Sequence, residues 1–127
     1  TPSDPLAAAR MEQWISAITH YLDIHAIRQI GSPMFWASRR GEAFEPPAEA
    51  LAALAHDLDV FEAALGNGPF LGGDEPNLAD YLLAPIVNAV ALMPQTRPML
   101  YMRPALTGFL AAVHARPSSE GILRKPT

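Results

Sequence analysis

The 127-residue sequence predicts an all-α domain, a bundle of four main helices with a short last one, and three observations carry that prediction. Apolar residues recur at three-and-four spacing through four separate stretches, the signature of one buried helical face. Proline, glycine and Asx residues punctuate the gaps between those stretches, where helices start and stop. Nowhere does an alternation of period two run long enough to make a strand.

The first helix opens at Asp4, an N-cap residue followed by Pro5 at N1, where a missing N–H is no loss. Gly31 and Pro33 predict its end at about Gln29. At 100° per residue, Met11, Trp14, Ile15, Ile18, Leu22 and His25 fall within about 100° of one another and form its core side. Ile30 to Pro47 then reads as a loop or broken helix carrying Met34-Phe35-Trp36. Three large apolar residues in a loop need cover. Burial under the domain's own loop and a role at a substrate rim or a domain contact are both open.

Pro46-Pro47 opens the second helix, which runs to about Leu65 with Leu51, Leu54, Leu58, Phe61 and Leu65 as its stripe. Glu49, His56, Asp59 and Glu62 fall largely off that stripe, and Gly66-Asn67-Gly68-Pro69 ends the helix. The third helix runs from Asn77 to Met93, where Pro94 stops it. It is apolar nearly all round, which places it in the middle of the bundle, and Pro85 should bend it by removing one backbone hydrogen bond. Arg103-Pro104 starts the fourth helix, with Leu106, Phe109, Leu110 and Val113 inward and an end before Pro117. A short last turn spans Ser118 to Leu123.

Composition narrows the function. Half the residues are hydrophobic and 17% are charged, too apolar a mixture for a disordered chain. The formal charge of −4 gives no electrostatic reason to expect nucleic acid or an anionic membrane as partner. With no cysteine there is no disulfide, thiolate nucleophile or cysteine-based metal site in these residues, which fits a cytoplasmic location. No metal is expected from the histidines either. His20 and His25 are five residues apart and diverge by about 140° on an ideal helix, while His56 and His114 stand alone. His25, on the apolar face, is expected to bond a backbone carbonyl. The tract from Tyr81 to Met93 is too short for a bilayer, which needs about 20 apolar residues. The opening Thr1-Pro2-Ser3-Asp4-Pro5 reads as a cut at an interdomain linker.

The strongest local signal is the run from Phe70 to Asp80, FLGGDEPNLAD. Asn77 is the N-cap of the third helix and Asp80 stands at N3, so the two form a capping box: the Asn side chain accepts from a first-turn amide and the Asp carboxylate from the Asn77 amide. Asp80 also sets negative charge at the positive end of the helix dipole. Its loss is expected to cost about 1–2 kcal/mol or more. Gly72-Gly73 is a turn and not a phosphate loop, lacking a strand before it and a lysine after it.

With LAALAHDLDVFEAAL before it and RPALTGFLAAVHARPSSEGIL after it, FLGGDEPNLADYLLAP resembles the C-terminal domain of the glutathione transferases. The opening DPLAAARMEQWISAITHYL is similar to that domain's first helix, so the resemblance spans essentially residues 1–127 as one domain. The family more often has Ser or Thr where this chain has Asn77. The resemblance implies a lopsided division of labour. A thioredoxin-like N-terminal domain, absent from these residues, binds most of the glutathione co-substrate and carries the activating Tyr, Ser or Cys. The helical half supplies one wall of the hydrophobic substrate site and much of a homodimer interface. No catalytic residue is therefore expected in this chain.

On the first helix, opposite the core side, Ser16, His20, Asp23 and Ile27 form a second stripe flanked by Tyr21. Aligned on Trp14, the positions that touch glutathione or its sulfur in bacterial relatives fall near Ser16, His20, Tyr21 and Asp23. Those relatives often carry Asn, Ser or Thr, Glu and His there. A solvated helix face explains the same stripe, so both readings stand. The resemblance implies an enzyme half that serves conjugation of glutathione to hydrophobic electrophiles. The alternative is a non-catalytic protein-interaction module of the same fold.

Overall fold

The computed structural model describes residues 2–116, and among them it is all helical apart from one isolated bridge between Phe70 and Gly73. The elements are α1 (Pro5–Ala17), two π-type stretches (Ile18–Leu22 and Ile24–Gly31), α2 (Ser32–Arg39), α3 (Ala48–Ala64), a single 3₁₀ turn (Leu65–Asn67), α4 (Leu78–Leu92), α5 (Arg97–Tyr101) and α6 (Pro104–Ala115). The four main helices of the sequence reading are all present. The last turn expected from Ser118 to Leu123 lies outside the described residues.

The first helix departs from expectation. It does not stop at Gly31 and Pro33 but continues through both into α2. Gly31 keeps helical torsions, φ −62° and ψ −50°. The backbone has slipped into a wider register: Asp23 N–H reaches Ile18 O and Ser32 N–H reaches Ile27 O, both i→i−5. Pro33 then falls in the first turn of the next α-segment, where a missing donor costs least. The true stop is Gly41. At φ +69° it adopts the left-handed conformation, its N–H bonds Ser38 O at 3.1 Å, and Glu42 N–H bonds Ala37 O at 2.8 Å. Those two bonds are a Schellman closure.

α4 is the centre of the bundle and packs against α1, the second π stretch, α5 and α6. Ala79, Leu83, Val87, Val90 and Ala91 are buried on it, and the helix runs through Pro85, which sits on an exposed flank. Pro94 ends it as expected, but a short helix, α5, follows where the sequence showed none; five residues are too few to display a period. Arg97 holds that corner by donating from Nε to Ala91 O at 2.7 Å and from Nη2 to Leu92 O at 3.2 Å. A cation on the last carbonyls also suits the negative end of the α4 dipole. Thr96, fully buried, donates its hydroxyl to Val90 O at 2.8 Å.

The capping box forms at the start of α4. Asn77 Oδ1 accepts from Ala79 N–H at 2.9 Å, and Asp80 Oδ2 accepts from Asn77 N–H at 3.0 Å. Asp80 does more than the box requires. It also accepts from Leu71 N–H at 2.6 Å and Gly72 N–H at 3.0 Å, so one carboxylate, 1% exposed, holds the helix start and the preceding turn together. A Cβ on Gly72 would lie 2.4 Å from Glu75 O, so the turn is tight enough there to exclude any side chain.

Candidate functional site

The four residues predicted to meet a substrate stand on the first long helix, three at or before its first π stretch and Asp23 at its end. Their neighbours Ile18 and Leu22 are buried in the core, which turns Ser16, His20 and Tyr21 to solvent. Ser16 and His20 are brought together. The Nδ1–H of His20 donates to Ser16 O at 2.9 Å, and Ser16 Oγ lies 3.3 Å from the same nitrogen. The imidazole is thereby oriented, and Nε2 remains for a ligand.

Asp23 and Tyr21 do not join that pair. Asp23 is 3.5 Å from Arg28 Nε, an exposed ion pair of small energetic value. Tyr21 lies on the flank that faces α3, beside His25. On this chain alone the four residues form an open helix face and not a closed pocket. A hollow of about 700 Å3 between the start of α1 and the turn before α4 contains none of them; Arg10, Phe70 and Asn77 are among its walls.

His25 is a correction. It bonds no backbone carbonyl; its Nδ1–H donates to the carboxylate of Asp57 on α3 in a very short hydrogen bond. Asp57 is buried while His25 keeps 24% of its side chain exposed. The sequence reading missed Asp57, yet a signal was there. It falls three residues after Leu54 and four before Phe61, so an acid stands on the apolar stripe of α3, where it needs a partner. Phe35 and Trp36 are both exposed on α2, edge to face with ring centroids 5.3 Å apart, whereas Met34 packs against the core. Among the described residues no group of three or more His, Asp or Glu could hold a metal ion, and no helix is long and apolar enough to cross a membrane.

The family model for the glutathione S-transferase C-terminal domain matches residues 24–117. The chain belongs to that family. Ser16, His20, Tyr21 and Asp23 lie just before the matched span. The chain is 28% identical over 116 residues to glutathione S-transferase 3 of Zea mays, an alignment covering 88% of this chain and 51% of that protein. Among solved structures, glutathione transferase F7 from Populus trichocarpa superposes with a TM-score of 0.76 at 24% identity, over 91% of this chain and 55% of the other. A glutathione S-transferase III solved in its apo form gives 0.67 at 26% identity, over 94% and 58%. The glutathione S-transferase C-terminal domain identified here thus spans about half the length of the relatives it matches.

Proposed function

We propose that this domain is the hydrophobic-substrate half of a glutathione transferase whose thioredoxin-like half binds glutathione and activates its sulfur. The observation that carries the reading is the family match over residues 24–117 on an all-helical fold shared with glutathione transferases. The full protein conjugates glutathione to hydrophobic electrophiles as a cytoplasmic homodimer, with glutathione as co-substrate and no metal. In it the first helix presents Ser16, His20, Tyr21 and Asp23 toward the substrates. Ser16, His20 and Tyr21 are exposed and spend nothing on the core, as a wall awaiting its other half requires.

The chemistry divides accordingly. The sulfur of glutathione attacks the electrophile as a thiolate, and stabilising that thiolate falls to the other half. This half orients the second substrate by apolar contact and by the His20 and Tyr21 donors. Two measurements test the reading. The 127-residue chain mixed with glutathione and a chloronitroaromatic electrophile should show no conjugation by absorbance; robust turnover would place the activating group in this chain. In the full-length protein, His20→Ala and Tyr21→Phe should raise KM for a substrate several-fold. Unchanged KM for both substrates would remove this face from the site.

A further inference from the structure

Between the first helix and α3 the surface sinks into a groove of about 510 Å3, within the size range of small-molecule sites. It exists because Ala17 on one wall faces Ala53 on the other, where larger residues would have closed the gap. Trp14 and Phe61, whose ring centroids are 5.4 Å apart, supply aromatic surface at one end. The His25–Asp57 pair lies at the other, and Val60 is half-exposed between. The groove lies on a different flank of the helix from the Ser16–His20 pair and shares only Tyr21 with the substrate face proposed above.

The polar groups of the groove set what it can hold. Asp57 is its only carboxylate and is already engaged by His25. What remains is able to donate: Nε2 of His25, the His56 imidazole, the Gln13 amide and the Tyr21 hydroxyl. Because Asp57 grips Nδ1, the His25 ring is held in one orientation before anything binds. A proton on Nε2 makes it a donor, and the buried Asp57 carboxylate supplies the balancing charge. An apolar body with one acidic end meets this arrangement; a cation finds no free carboxylate.

We propose that this groove binds a small aromatic carboxylate, with its ring between the alanines against Trp14 and its carboxylate at His25. The test uses the chain as it stands, with 1-naphthoate and neutral 1-naphthamide as probes in calorimetric titrations. Naphthoate is expected to bind at least tenfold more tightly than the amide. Ala53→Leu, which fills the half-buried floor without touching the ion pair, is expected to weaken naphthoate at least tenfold. His25→Gln is expected to erase the preference for the acid over the amide. Equal binding of acid and amide, or naphthoate affinity unchanged by Ala53→Leu, overturns the proposal. If His25→Gln does not fold, the Ala53→Leu arm and the acid–amide ratio still decide. If sedimentation shows a dimer that Ala53→Leu dissociates while naphthoate fails to bind, the groove belongs to a second copy and the proposal fails.

Discussion

One buried carboxylate, that of Asp80, satisfies three backbone donors: Leu71, Gly72 and Asn77. A capping box accounts for the last of these and was legible from the spacing of Asn77 and Asp80. The other two were not, because they depend on the turn from Phe70 to Gly73 folding back over the helix start, a tertiary arrangement with no periodic signature. The difference changes an expected magnitude. Asp80→Ala leaves three amides short of a partner where water has little access, and each such loss costs about 1–3 kcal/mol. The expected destabilisation is therefore about 3 kcal/mol or more, read as a lower denaturant midpoint at unchanged slope. A melting temperature equal to that of the parent would show that Asp80 holds nothing. His25 and Asp57 make the same point about legibility: 32 positions separate them, and only the odd placement of an acid on an apolar stripe hints at the bond.

At the scale of elements, the helices themselves were readable and their ends were less so. Gly31 and Pro33 look like a stop because each disfavours a regular α-helix, but a π register tolerates them, and periodicity counted at 100° per residue cannot reveal the change of register. The start of α6 was read only from Pro104, yet Arg103, its N-cap, makes no side-chain cap. The cap comes from another helix. Glu62 on α3 accepts from Ala105 N–H and Leu106 N–H, both at 2.8 Å, placing a carboxylate at the positive end of α6. Arg103 braces the same junction by donating to Asp59 Oδ1 at 2.9 Å and to Met99 O at 2.6 Å. Glu62→Ala is expected to cost about 1–2 kcal/mol, the range of a lost N-cap. Hydrogen exchange should locate the damage: the Ala105 and Leu106 amides should lose protection while those of Leu83 and Val87 keep theirs relative to global stability. Unaltered exchange at Ala105 and Leu106 would refute the cap.

At the scale of the whole molecule, α4 is both the most buried helix and the one with an unfinished face. Its composition predicted burial all round, and most of it is buried. Leu78, Tyr81 and Leu82, however, are 55%, 51% and 39% exposed, and with the exposed Pro85 they stand at i, i+3, i+4 and i+7 along one side. The sequence could not distinguish this side, because an apolar residue looks alike whether its own domain covers it or not. In energetic terms the distinction is sharp. A core leucine such as Leu83, fully buried, loses about 2–5 kcal/mol on truncation to alanine, while substitution on an uncovered face stays within about 0.5 kcal/mol. Leu82→Glu is accordingly expected to leave the melting temperature of this chain nearly unchanged and to raise its solubility by breaking an apolar strip. The adjacent Leu83→Ala should lower the melting temperature by many degrees. The pair of measurements separates two accounts of α4: comparable losses at both positions would mean that the strip is packed within the domain, and a loss at Leu83 alone leaves it as surface that the folded chain does not need for its own stability.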